Sequence, residues 1–151
     1  MNTGEQDPHG SAFEFFNEIG IIAQLASNQM QRTMPHGLTQ SQFSVLNWFT
    51  RVDTEATPGR LARAFQVTPG AMTNTLTKLA AKGFIRIEPD PASGRSKRVR
   101  LTGAGRRARD QAIKATHATL DGFLAVFPVG TLTEVLPLLR KVRAHLDAAR
   151  D

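Results

Sequence analysis

The sequence predicts a mainly α fold carrying one small β-hairpin, and three observations lead there. Apolar residues recur at three- and four-residue spacing through most of the chain. Apolar–polar alternation marks FIRIE (84–88) and KRVRL (97–101), on either side of the turn-rich PDPASGRS. The positive charge gathers around those two runs: residues 60–109 hold twelve Lys or Arg against two acids, Glu88 and Asp90, a net +10. The remaining residues hold seven bases against eleven acids, a net −4.

Taken in order, residues 12–34 read as a long helix. Phe13, Phe16, Ile19, Ala23 and Ala26 recur at helical spacing, and Phe15, Ile22 and Leu25 widen the stripe. Ser11 is the expected N-cap, with Glu14 completing a capping box, and Pro35 and Gly37 end the helix. Thr39 caps a second helix to about Arg51, with Phe43, Leu46 and Phe49 inward, and VDTEATP reads as a loop. Pro58 suits the first turn of a third, short helix with Leu61, Ala62 and Phe65 inward. Thr68-Pro69 starts a fourth, whose buried stripe is Met72, Leu76 and Leu79 and whose end is marked by Gly83. The two alternating runs then pair as a hairpin, with Val99 and Leu101 inward. Thr102 caps a long helix to about Phe127, stopped by Pro128 and Gly130. A last helix from about Leu132 carries Val135, Leu136, Leu139, Val142 and Leu146.

Two helices joined by a short turn (58–65 and 69–82), followed by a hairpin, make a winged helix-turn-helix. The excess positive charge falls on this unit, which points to an anionic partner, with nucleic acid the leading one. A winged helix used for protein interaction, its basic surface incidental, is the alternative from another class.

Catalysis finds no support. The four His (9, 36, 117 and 145) lack metal-ligand spacing, and no nucleophile-elbow or zinc-protease motif occurs. GAGRRA (103–108) imitates a dinucleotide fingerprint, but the helix it opens is followed by no strand, so the match is chance. No catalytic residue, metal or cofactor is expected. With no cysteine there is no disulfide or thiolate site. Polar residues interrupt every apolar run, and MNTGEQDPHGS lacks a signal-peptide pattern, so a cytoplasmic protein without a membrane span is expected.

The stretches LTQSQFSVLNWF and TPGRLARAFQVTPGAMTNTLTKLAAKGFIRIEPDPASGRSKRVRLTGAGR resemble the MarR family of bacterial transcriptional regulators over roughly residues 39 to 106. The D-P-x-x-x-R wing followed by a strand and L-T-x-x-G-R is the more specific part. The resemblance implies a winged-helix homodimer on palindromic operator DNA, usually a repressor, often released by a small anionic aromatic ligand. The whole chain, 1–151, is then one such domain. Residues 35–102 form its double-stranded-DNA-binding lobe, and residues 12–34 and 103–150 its dimerisation helices. At the position two residues before the wing Arg, where the family usually has Asp, this chain has Ser93. A carboxylate would hold the guanidinium by paired charged hydrogen bonds, whereas Ser offers one neutral bond. That substitution implies a more mobile wing tip or a looser minor-groove contact.

On this reading the fourth helix enters the major groove by Thr68, Gly70, Ala71, Thr73, Asn74, Thr77 and Lys78, all off its apolar stripe. Asn74 suits adenine, Ala71 or Thr73 a thymine methyl, and Lys78 a phosphate. Arg95 at the wing tip suits a narrow minor groove, flanked by Lys97 and Arg98 on phosphates. Arg60 and Arg63 either contact the DNA backbone or pack along their helix. Trp48 and Arg51, one turn apart on the second helix, could line a cleft for an aromatic acid; the competing reading packs Trp48 against Phe15 or Phe16.

Overall fold

In the computed structural model, which describes residues 7–150, those residues fold as two compact units, divided between residues 115 and 116. The first contains α1 (Pro8–Thr33), a single 3-10 turn (Pro35–Gly37), α2 (Gln40–Arg51), β1 (Glu55–Ala56), α3 (Pro58–Phe65) and α4 (Pro69–Ala81). It continues through β2 (Ile85–Asp90), β3 (Ser93–Leu101) and α5 (Gly103–Ala115). The second unit contains α6 (His117–Val126) and α7 (Val129–Ala148). The mainly α class, with its small antiparallel sheet, is as the sequence predicts.

Local chemistry accounts for most boundaries. Thr39 and Gln42 form a reciprocal capping box at the start of α2, and the Thr57 and Thr68 hydroxyls accept N–H bonds at the starts of α3 and α4. Gly83 ends α4 with φ +75°, a conformation open to glycine at no Cβ cost. Four boundaries differ from expectation. Helix α1 begins at Pro8, because the Asp7 carboxylate accepts from the N–H groups of His9 and Gly10 and so caps the helix ahead of Ser11. Helix α7 begins at Val129, three residues early, with Pro128 as its N-cap. The expected helix from Thr102 to Phe127 is broken at Thr116 into α5 and α6. The hairpin strands also run closer to the tip than alternation suggested, leaving Pro91-Ala92 as the turn.

The segment read as a loop contains a strand. Ala56 pairs with Val99 and Glu55 with Arg100, so β3 lies centrally in the order β1-β3-β2. A two-residue strand carries too little alternation to be seen in sequence.

Leu46, Phe49, Leu61, Met72, Leu76, Leu79, Ile85 and Val99 form the core of the first unit. Ala108 of α5 joins them. Three polar ties fix α4 and α5 around α2. The Lys82 ammonium donates to the carbonyls of His36 and Gly37 and to Gln42 Oε1 at 2.9–3.2 Å. Arg109 donates twice to Asn47 Oδ1. His36 and Gln111 share a side-chain hydrogen bond. By contrast, no residue of α1, α6 or α7 is buried; Phe13, Ile22 and Leu25 of α1 are more than 60% exposed. Among the described residues no single helix is long and apolar enough to cross a membrane.

The glycine of GAGRRA that mimics a nucleotide fingerprint has a structural reason to be there. A Cβ on Gly105 would collide with the Phe84 carbonyl oxygen and lie 2.8 Å from a Leu101 methyl. Helix α5 thus sits directly on the base of the hairpin, anchored by Thr102, whose hydroxyl donates to the Gly83 carbonyl (2.7 Å). Gly105→Ala should cost about 1–3 kcal/mol, the range for overpacking a tight contact. Urea denaturation of the two proteins checks this, and equal midpoints would contradict the close approach.

Candidate nucleic-acid interface

Helix α4 separates its two faces cleanly. Met72, Leu76 and Leu79 are at most 3% exposed, whereas Thr68, Gly70, Ala71, Thr73, Asn74, Thr77 and Lys78 are all exposed. The hydroxyl of Thr68 is used as the N-cap, and that of Thr73 donates to the Pro69 carbonyl at 2.9 Å. The Asn74 amide and the Lys78 ammonium point from an otherwise small-residue surface that a groove wall can approach closely.

The wing meets this face. A cleft of about 480 Å³ has Thr73 and Thr77 of α4 on one wall and Arg95, Ser96 and Lys97 of β3 on the other, with Pro58 and Gly59 of α3 at its end. The fold therefore brings four of the sequence-predicted residues, Thr73, Thr77, Arg95 and Lys97, to a single concavity. Arg95 and Lys97 are exposed, and neither has an acidic partner among the described residues. The absence of an Asp at position 93 is felt here: the nearest tip carboxylate, Asp90, accepts from the Ala92 N–H (3.0 Å) and pairs with Arg98 instead of Arg95. Ala71 lies apart from this cleft, on a second one of about 240 Å³ shared with Gln40, Ser41 and Ser44 of α2.

Arg98 carries ion pairs that the sequence did not suggest. Its guanidinium, on the outer face of the sheet and partly exposed, lies 3.2 Å from Glu55 and 3.4 Å from Asp90. The reason is β1, which brings Glu55 alongside β3. Arg60, though exposed, is also partnered within the protein: it pairs with Asp53 at 2.7 Å and stacks 5.0 Å above the Trp48 ring. The hydrogen bond from Arg60 is the main reason the Asp53 carboxyl is held below its usual pKa. A lowered carboxyl pKa contributes stability above the unfolded value and loses it as pH falls through the folded one, so this pair weakens only in acid.

The Trp48 ring, paired with Arg51 in the sequence reading, is not open to a cleft in the single chain. Trp48 is 7% exposed, packed edge-on against Phe49 and covered by Arg60, and Phe15 and Phe16 pack on each other instead. Arg51 is exposed on the last turn of α2. Helix α2 is covered by α4, α5 and the sheet together, so its buried arc is wider than the single stripe of Phe43, Leu46 and Phe49 and takes in Gln42, Val45 and Trp48. Sequence reasoning also missed Glu55 and Asp90 as partners of the wing. For Asp90 the available signal was rarity, since Glu88 and Asp90 are the only acids in residues 60–109; Glu55 lies outside that run and carried no such signal.

A helix-turn-helix with an exposed small-residue helix, a basic hairpin beside it and a cleft between them defines a winged-helix protein. The MarR family model matches residues 36–96, which span α2 to the wing tip. The uncharacterized HTH-type transcriptional regulator ML2140 of Mycobacterium leprae is 31% identical over 113 residues, covering 70% of this chain and 78% of that protein. The multiple antibiotic resistance protein MarR of Escherichia coli is 29% identical over 138 residues, 83% of this chain and 95% of that one. This chain belongs to the MarR family of transcriptional regulators. Among solved structures, the regulator BldR of Sulfolobus solfataricus aligns with a TM-score of 0.79 at 22% identity, over 93% of this chain and 99% of that one. A mutant of E. coli MarR complexed with operator DNA aligns at 0.71 and 24%, over 91% and 99%. At those identities the structural likeness is one of fold.

The geometry at Trp48 makes a spectroscopic prediction, and since it is the only Trp the signal is unambiguous. Its emission should be that of a buried indole, weakly quenched by iodide and unchanged by simple aromatic carboxylates. Strong quenching by either would show a ring face open to ligands.

Proposed function

We propose that the protein is a homodimeric repressor that binds a pseudo-palindromic operator in double-stranded DNA and acts in the cytoplasm. The observation that carries this reading is the convergence of Arg95 and Lys97 with the exposed face of α4 on one cleft, inside a segment of net charge +10. The α4 surface enters the major groove, where Asn74 reads adenine and Ala71 or Thr73 meets a thymine methyl. Arg95 reaches the adjacent minor groove, and Lys78 and Lys97 neutralise phosphates. The E. coli relative solved with operator DNA supports the same use of the fold.

Dimerisation is supported by the apolar side chains of α1, α6 and α7. Phe13 and Leu25 in the first unit, and Leu120, Phe123, Val135, Leu138 and Leu146 in the second, are 45–70% exposed in the single chain. Apolar surface on that scale marks an interaction site. A two-fold axis would set the two α4 helices about one DNA turn, ~34 Å, apart. Release by a small anionic aromatic ligand completes the proposal; such a ligand would bind the DNA-free form more tightly, and operator DNA would weaken its binding by the same factor. Its contacts would not include the Trp48 ring.

The test is salt dependence. With several phosphate contacts, operator affinity should fall about 10³–10⁵-fold between 50 and 200 mM salt. Arg95→Ala should cost about 1–3 kcal/mol with the fold intact, Lys78→Ala should weaken all sequences alike, and Asn74→Ala should relax preference at one or two base pairs. A protein-interaction module would bind DNA weakly and without sequence preference.

For the dimer, sedimentation at micromolar concentration should give twice the 16.5 kDa chain mass. Leu139→Asp should give monomers or unfolded chains. A well-folded wild-type monomer at that concentration would refute the dimer.

A further inference from the structure

We propose that Glu55 is a positioning residue for DNA recognition, holding the wing through Arg98 and Arg100, and that Arg98 is a strut of the wing and not a phosphate contact. The inference rests on the DNA-binding reading above and deepens it at the wing.

The outward face of the sheet is a ladder of charges. In register, Glu88 faces Arg98, Arg86 faces Arg100, and Glu55 faces Arg100 from the other side. Two arginines directly opposite on neighbouring strands repel each other. Glu55 offsets that repulsion: its Oε2 lies 3.0 Å from Arg100 and its Oε1 3.2 Å from Arg98, so one carboxylate bridges two guanidiniums two residues apart on β3. The second arm of Arg98 reaches Asp90, which also accepts from the N–H of Ala92 in the turn. A continuous path therefore runs from β1 through Glu55 and Arg98 to Asp90 and the wing tip. Strand β1 supplies only two residues of backbone pairing, so these side chains are the main additional tie between the 53–57 segment and the outer wing. Between the struts and the tip lie Lys97 and Arg95, whose heads remain exposed.

Electrostatics makes the assignment testable by sign. A carboxylate near a DNA surface repels the phosphates, so Glu55 lowers affinity for any DNA by its charge alone. If Glu55 did nothing else, Glu55→Gln would tighten specific and non-specific binding in parallel, freeing Arg98 and Arg100 for phosphates. If Glu55 positions the wing, the same change disorders the wing. Specific affinity then falls while non-specific affinity holds or rises.

The experiment measures operator and random-sequence DNA affinity at fixed salt for wild type, Glu55→Gln, Arg98→Gln and the double variant. Amide hydrogen exchange on the free proteins accompanies it. For Glu55→Gln the ratio of specific to non-specific affinity should drop about three- to tenfold, the scale of a small ion-pair network. The double variant should be no worse than the weaker single one, because both remove one strut. Exchange should quicken in residues 93–98 and stay unchanged in α2 and α4. Parallel tightening on both DNAs, additive losses, or unchanged exchange in the wing would each overturn the proposal. Were the wild type to bind no DNA, the function proposed above would fail, and the exchange pattern would still decide whether Glu55 holds the wing.

Discussion

Val99, fully buried at the middle of the central strand, fixes the register on which the rest of the winged unit depends. Side chains alternate along a strand, so with Val99 inward beside Ile85 and Ala56, Arg98 and Arg100 must face outward, where β1 supplies Glu55. A slip of one residue would place an arginine in the core and Val99 in water, a large penalty that leaves one pairing. The same register sets how far the hairpin projects and so where Arg95 and Lys97 stand beside α4. Helix α5 reinforces it from below: the close contact of Gly105 with Phe84 locks the helix onto the base of β2.

Charge in this unit is divided by function. Arg60, Arg98, Arg100 and Arg109 are held by acidic or amide partners and stack or strut the fold. Lys82 is spent on carbonyls that would otherwise end the 3-10 turn unpaired. What remains for an external anion is Arg95, Lys97 and Lys78, on or beside the small-residue surface of α4, together with Arg63, Arg106 and Arg107, which are exposed without an acidic partner among the described residues. The net charge of the segment thus overstates the cations available to DNA, and of those left over the cleft brings Arg95 and Lys97 together.

The strongest local signals in the sequence were reliable because each had a local cause. The stripe Met72-Leu76-Leu79, the Thr39, Thr68 and Thr102 caps and the Gly83 stop depend on residues within one or two turns of each other, and the structure has all of them. What was not legible depends on partners far apart in the chain. Strand β1 exists because β3 lies beside it; the Trp48 ring is covered by Arg60 of α3; Arg98, on the outer face of the sheet, is paired because Glu55, forty-three positions earlier, reaches it. The break at Thr116 and the early start of α1 are misses of a different kind. At Thr116 helical periodicity continued past the point where the backbone broke the element, and at α1 a cap at Asp7 began the helix ahead of the apolar pattern.

The central claim is that α4 and the wing read adjacent grooves of one operator. Dimethyl sulfate protection tests it most directly, since guanine N7 lies in the major groove and adenine N3 in the minor. On operator DNA found beside the protein's own gene, guanine protection is expected at two centres about one helical turn apart, with adenine protection next to each where the wing sits. Full reactivity of both bases at saturating protein, or protection with no fixed register on the sequence, would contradict it.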